Sequence, residues 1–313
     1  MIRTLLLIGA LATATNAAAE ERKWWPSKWG ADDTLGSFNM LGPELTMKAV
    51  KLVKTGKTYR LGIETNRDTP TPKGWTPRSF DITVLLPNQD GVSLGDNHFN
   101  FYDDRMDGWM GIGSQVDGLG HAGTDGVYYN GFKGKDFATA GGLRKMGVEA
   151  YPPIVSRGVL LDMAACMGQD MLKEGTAINR AELMACEKKQ GVTIEKGDVV
   201  LLHTGWLSII ASDPKRFITV EPGLGIDGAK YLAEKEIVAV GVDNWAIEVM
   251  PCENPNDAFP VHQELLNYNG IYQFENMNTS ELAKDKAYEF MFVLGPARIT
   301  GAVQMIINPI AIR

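Results

Sequence analysis

Three apolar runs rich in β-branched residues, at 158–162, 199–203 and 237–243, are separated by two helical signals. In the first, Asn179 and Glu182 have the spacing of a capping box ahead of Leu183, and Gly191 supplies the stop. In the second, Asp227 is placed to cap a helix that runs to Lys235 and exits directly into Ile237. Strand, helix, strand, helix, strand predicts an α/β sheet with helices packed on it. The runs are continuously apolar rather than alternating, as expected of strands covered on both faces. Further strands are expected at 82–86, 289–294 and 302–308, and a helix is expected to open at Pro43 and end before Gly56. The Pro- and Thr-rich stretch from Arg67 to Arg78 reads as a loop, because no independent core precedes it. With no internal repeat, this makes a single domain.

That domain is expected to occupy residues 20–313. Arg3 precedes the apolar run from Leu5 to Ala12, and Ala17, Ala18 and Ala19 stand before Glu20, Glu21, Arg22 and Lys23. This is the layout of a signal peptide over 1–19 and predicts a periplasmic or secreted protein. No apolar run reaches the roughly 20 residues that span a bilayer, so no membrane association is expected. The formal charge is -7, with 31 basic against 38 acidic side chains. No basic face is available to neutralise a phosphate backbone, so nucleic acid is not an expected partner. The three cysteines, Cys166, Cys186 and Cys252, match neither a paired metal motif nor a dense disulfide framework. At most one disulfide can form, and Cys166 and Cys186 read as buried inert thiols.

The stretch from Gly111 to His121 carries the densest chemistry. In extended backbone Gln115 and Asp117 project the same way, and Gly118 and Gly120 allow a bend that returns His121 to their side. An amide oxygen, a carboxylate and an imidazole then converge as a metal site with a proton-transfer group beside it. The alternative is structural, with Asp117 bonding turn amides and His121 a carbonyl. Further along, His262 begins a new element, and Glu275 follows a bend at Asn269 and Gly270, so one more imidazole and one more carboxylate can join the set. Trp109, Tyr128 and Trp206 are candidate flat walls for an aromatic ligand. His203, ending an apolar strand, either lines that pocket or is a satisfied core group. Asp243 and Asn244 are candidates to orient His262 or a water.

In order along the chain, Trp29 to Gly36, Gly113 to His121, Tyr129-Asn130-Gly131, Arg157 to Asp162, Gly197-Asp198-Val199, Thr204-Gly205-Trp206, Gly241 to Asn244, His262, Glu275-Asn276 and Pro309-Ile310-Ala311 resemble the cyclase family of metal-dependent hydrolases. That family includes bacterial kynurenine formamidase and isatin hydrolase. The resemblance implies a mixed, barrel-like β-sheet with flanking helices and assembly into dimers or tetramers. The family motif reads His-x-Gly-Thr-His-x-Asp-x-Pro-x-His, its first two histidines and its aspartate holding one metal. A later His and Glu hold a second metal, and the last histidine handles protons. Carried onto this chain, the aspartate is Asp117, the proton carrier is His121, and the later pair is His262 and Glu275. Gly111 and Gln115 replace the first two histidines, and Leu119 replaces the proline. These departures favour one ion held by Asp117, His262, Glu275 and Gln115, and the oxygen-rich set admits Zn²⁺, Mn²⁺ or Mg²⁺.

The activity expected from the resemblance is hydrolysis of a C–N or C–O bond in a small carbonyl compound, such as an N-formyl amine, a cyclic amide or a lactone. Two other functions fit the same residues: a lyase or cyclase using His121 as a base, and an exported protein that binds a small molecule without converting it.

Overall fold

The computed structural model describes residues 23–72, 78–85 and 93–313. The leader at 1–19, residues 73–77 of the expected loop, and Leu86 of the first expected strand lie outside the described residues. A nine-stranded mixed sheet organises the chain. Its strands are β1 (Thr58–Arg60), β2 (Gln115–Asp117), β3 (Ile154–Asp162), β4 (Val199–His203), β5 (Ala239–Val242), β6 (Tyr272–Glu275), β7 (Glu289–Leu294), β8 (Gln304–Ile306) and β9 (Ile310–Ile312). They lie in the order β1-β9-β7-β3-β4-β5-β6-β2-β8. Strands β3 to β6 are parallel to one another, and antiparallel pairs extend the sheet on both sides.

Strand order and chain length together require the sheet to curl. β8 and β9 stand seven places apart in it, a separation of about 34 Å if the sheet were flat. Only residues 307–309 join them, and that link spans at most about 15 Å. The sheet therefore bends into a half-barrel that brings its ends together. The expected strand at 302–308 is shortened to Gln304–Ile306, and a further strand, Ile310–Ile312, follows Pro309, which offers no N–H where the chain crosses from one end of the sheet to the other.

Both faces of the parallel strands are buried, as their continuous apolar runs require. Val159 and Leu161 of β3, Val200 and Leu202 of β4, and Val240 and Val242 of β5 belong to one core. Helices α1 (Pro43–Val50), α2 (Arg180–Gln190) and α3 (Ile226–Glu234) flank the sheet, and α2 and α3 close that core with Leu183 and Leu232. The alternate residues, Leu160, Val199, Leu201 and Ala239, enter a second core with Phe274, Phe290 and Phe292.

The α2 capping box forms, Glu182 accepting from the Asn179 amide at 3.0 Å, and Gly191 closes the helix at φ 70°. α3 starts earlier than its carboxylate signal suggests. Gly225 is the N-cap and Asp227 lies inside the first turn, where it complements the helix dipole instead of capping. Cys166 and Cys186 are joined in a disulfide with Cα atoms 5.4 Å apart, not held as separate thiols. Cys166 ends the short helix after β3 and Cys186 faces inward from α2, so packing of the two helices places them in bonding range. The first expected strand is found shifted, at Phe80–Val84, paired only with Asp104–Gly108 in a separate hairpin. No helix among the described residues is long and apolar enough to cross a membrane.

Candidate metal centre

β2 lies between β6 and β8 with Asp117 opposite both Gln273 and Gln304, and Gln115 opposite Glu275. Directly paired residues of antiparallel strands share a face, so polar side chains from three strands meet on one side of the sheet. The start of β2 is pinned by Ser114, whose hydroxyl donates to the Asn276 carbonyl at 2.6 Å, and by the Asn276 amide on Gly113 at 2.8 Å.

After β2 the chain turns back through a hydrogen bond of 2.9 Å from the His121 N–H to the Gly118 carbonyl. Gly118 and Gly120 serve this turn through space rather than through unusual dihedrals. A Cβ on Gly118 would stand 2.2 Å from the Tyr151 hydroxyl, and one on Gly120 would stand 2.6 Å from Leu143. The turn brings His121 Nε2 to 3.8 Å from Asp117 Oδ2. His262 arrives from the short helix Pro260–His262, its Nε2 3.6 Å from Asp117 Oδ2 and 3.6 Å from Glu275 Oε1.

These separations are too long for hydrogen bonds. They suit ligands of a common ion, since two groups each about 2.1 Å from a tetrahedral centre stand about 3.4 Å apart. Ligand atoms of Asp117, His121 and His262 all lie within 4.8 Å of one another. Asp117 is fully buried, and its Oδ2 accepts no hydrogen bond. A buried carboxylate oxygen without a partner is costly, and a cation between the two imidazoles would satisfy it.

On the far side of His262, Glu248 Oε1 accepts from Nδ1 at 2.6 Å. That bond keeps the proton on Nδ1 and turns the Nε2 lone pair toward Asp117, the usual arrangement of a ligating histidine. Glu248 also accepts from the backbone N–H groups of Val261 and His262. Burial opposes a charge on His262, but Asp117, Glu248 and Glu275 outweigh it and hold the imidazole basicity well above its usual value. Burial likewise opposes ionisation of Asp117, and the two imidazoles with the Gln304 amide overcome it, keeping the carboxyl well below the ordinary range. Burial, reinforced by the Asp117 charge, pushes Glu275 up to about 8. His121 shifts down because burial outweighs its attraction to Asp117.

The centre opens into a cavity of about 520 Å³ walled by Trp109, Trp245 and Phe259, with Arg78 at its edge. Of the expected site residues, Asp117, His121, His262, Glu275 and Gln115 are brought together, and Trp109 lines the cavity. Gln115 points its amide N–H at Asp117 Oδ1, 3.0 Å away. Trp206, Tyr128, Asp243 and Asn244 are corrected, and His203 takes the second of its two readings, a satisfied core group. Trp206 is fully buried in a separate cluster with Leu207 and Phe217, its indole N–H donating to the Phe217 carbonyl. Tyr128 packs edge-on against Phe137. His203 bonds Thr279 at 2.8 Å and lies 3.2 Å from Asp243. Asp243 accepts from the N–H groups of Thr204 and Gly205, and Asn244 ties Pro222 to Ile247. Both brace loops at the ends of β4 and β5 instead of orienting His262. That task falls to Glu248, whose only sequence signal is a carboxylate between Ile247 and Val249.

The family model Cyclase matches residues 58–249. The chain belongs to the cyclase family. A solved structure described as a novel cyclase is 31% identical, with a TM-score of 0.82 and coverage of 91% of this chain and 98% of that one. Two more distant likenesses are of fold alone. Isatin hydrolase A from Ralstonia solanacearum is 18% identical, with a TM-score of 0.63 over 82% of this chain and 92% of its own. A predicted metal-dependent hydrolase from Bacillus stearothermophilus is 17% identical, with a TM-score of 0.54 over 82% of this chain and 98% of its own. No curated protein matches by sequence. This cyclase-family chain keeps the half-barrel, and its two imidazoles line the cavity beside the buried Asp117 carboxylate.

Proposed function

We propose that the chain is a metal-dependent hydrolase acting on a C–N or C–O bond of a small carbonyl compound with a flat, apolar body. One observation carries this reading: the unpartnered Asp117 Oδ2 is flanked by the His121 and His262 imidazole nitrogens, and these two rings line an aromatic-walled cavity. Asp117 and His262 would hold a divalent ion, with His121 within ligand range and Glu275 beside His262. With His121 kept free as the base, one imidazole and the Asp117 and Glu275 carboxylates admit zinc or manganese ahead of magnesium. When bound, such an ion polarises a carbonyl and lowers the pKa of water towards ~7.

The protein's own groups do the rest. His121 is 28% exposed on the cavity side, and its lowered basicity keeps the ring neutral near pH 7. It can therefore take a proton from water and hand it to the leaving nitrogen or oxygen. Trp109, Trp245 and Phe259 exclude water and hold the substrate body against the centre. The isatin hydrolases that share the fold act on a flat aromatic lactam, a size and shape that suit this cavity. We place the mature chain outside the cytoplasm, a reading supported by the leader layout and by the Cys166–Cys186 disulfide.

The test is turnover of formanilides, isatin-like lactams and lactones by zinc- or manganese-loaded protein, with metal content measured beside it. His121→Ala is expected to keep its ion and lose ~10²–10⁴-fold in kcat, the usual contribution of a general acid–base group. Loss of the ion in that variant would make His121 a ligand. Near-normal turnover would leave the reaction without its base, and no turnover of any compound by loaded wild type would remove the hydrolase reading.

A further inference from the structure

Asp117 presents two oxygens to very different surroundings. Oδ2 has no hydrogen-bond partner, while Oδ1 accepts from Gln115 Nε2 at 3.0 Å and from Gln304 Nε2 at 2.6 Å. A carboxylate held in its ionised form only accepts, so both amides must present their NH₂ groups to it. Two donors occupy the two lone pairs of a carboxylate oxygen, leaving none for a cation.

The Gln304 side chain reaches Oδ1 because Gly111 leaves room for it. A Cβ on Gly111 would lie 2.4 Å from Gln304 Oε1 and 2.8 Å from its Nε2, closer than any real contact allows. A side chain at 111 would therefore have to push the Gln304 amide from its present place. Register sets the arrangement, since Gln304 stands directly opposite Asp117 on β8 and Gln115 lies two residues before it on β2.

We infer that Gln115 and Gln304 form an amide clamp that withdraws Asp117 Oδ1 from coordination, aims Oδ2 at the imidazoles and limits the centre to one ion. Gln115 is then a positioning residue and not a ligand, and Gln304 is a second positioning residue with Gly111 as its slot. This rests on the reading of Asp117 as a metal ligand, but it concerns stoichiometry and affinity, which are measured without substrate.

The experiment titrates Zn²⁺ alone into the metal-stripped full chain by calorimetry, with elemental analysis after dialysis and thermal melting of the stripped proteins as a folding control. Wild type should bind one ion per chain. Gln304→Met fills the same space without a donor and should bind one ion 10- to 100-fold more weakly, the usual cost of losing a partner that orients a ligand. Gly111→Ala, by expelling the amide, should match it. Gln304→Glu keeps the shape but faces Oδ1 with a second carboxylate, and should raise the count to two ions, a change that mere filling of space would not produce. If Gln304→Glu does not fold, the Gln304→Met and Gly111→Ala pair decides. Wild type that binds two ions or none, Gln304→Met that binds like wild type, or a folded Gln304→Glu that stays at one ion each overturns the clamp. Turnover measured on the same samples separates the two claims: one ion without hydrolysis removes the hydrolase reading and leaves the clamp, and hydrolysis with two ions does the reverse.

Discussion

The parallel strands β3 to β5 and the antiparallel end formed by β6, β2 and β8 belong to one sheet, yet their side chains obey different rules. In the parallel part, Val159, Leu160, Leu161, Val199, Val200, Leu201 and Leu202 are fully buried and apolar on both faces. At the antiparallel end, Gln115, Asp117, Gln273 and Glu275 are buried on one face. Apolar burial stabilises by area and tolerates approximate shapes. Buried polar groups contribute only when each finds its partner, so they specify one geometry. The sheet thus separates a region that holds the fold from a region that holds the chemistry. Substitutions should separate in the same way.

The largest effect on stability should come from Leu201→Ala. Leu201 is fully buried on β4 and lies against Gly241, whose added Cβ would stand 2.7 Å from it. Its removal leaves a cavity next to a residue that cannot fill it, for an expected loss of about 2–5 kcal/mol. Denaturant unfolding checks the loss. Turnover and zinc affinity of the folded fraction should stay near wild type, and a large drop in either would show that the two regions are coupled.

Next comes the disulfide, which fastens α2 to the end of β3 on the helix-covered face. Its cysteines are 20 residues apart, and closing a loop of that size is worth about 3 kcal/mol through the unfolded chain. The double variant Cys166→Ser with Cys186→Ser should lower the unfolding free energy by about that amount and leave zinc binding unchanged. An unchanged midpoint would mean that α2 is held by Leu183 and its capping box alone.

The same division decides what could be read in advance. β4 and β7 have the bounds their apolar runs predict, and α2 has both its caps, because burial and capping are written in adjacent residues. β2, β6 and β9 are three or four residues long, too short for a period to emerge. Asp117, His121, His262 and Glu275 were legible as chemistry, because glycines and bends isolate them in the sequence. Their partners were not. Gln304 looks like one polar residue in an apolar run until register sets it opposite Asp117, and Gly111 looks like a lost ligand until Gln304 is seen in its space. Asp243 and Glu248 both follow β5 within a few residues, and only the fold shows that one faces Thr204 and the other His262. The disulfide was missed for the same reason, since helix packing and not spacing brings Cys166 to Cys186.

The smallest expected effect, and the one that most sharpens the contrast, belongs to Glu248→Gln. Glu248 is 1% exposed and takes four donors, the His262 ring, the backbone amides of Val261 and His262 and, at 3.9 Å, the Cys252 thiol. A glutamine of the same shape keeps one accepting oxygen and turns an NH₂ toward a donor, so one bond becomes a repulsion. If the amide oxygen stays on the His262 ring, a backbone N–H is left unpaired. If it stays on the backbone, His262 loses the bond that directs its Nε2 toward Asp117. The second outcome should weaken zinc binding and kcat/KM by about 10- to 100-fold, as for other partners that orient a metal ligand. The apolar side chains packed around β4 are unchanged in this variant, so it should melt close to wild type in the metal-free state. Phe259 packs edge-on against the His262 ring at 5.3 Å and offers the competing explanation, that packing alone fixes the imidazole. Zinc affinity equal to wild type in Glu248→Ala, which leaves no oxygen for the ring in either arrangement, would favour Phe259 and would place the orienting force at this end of the sheet in apolar contact after all.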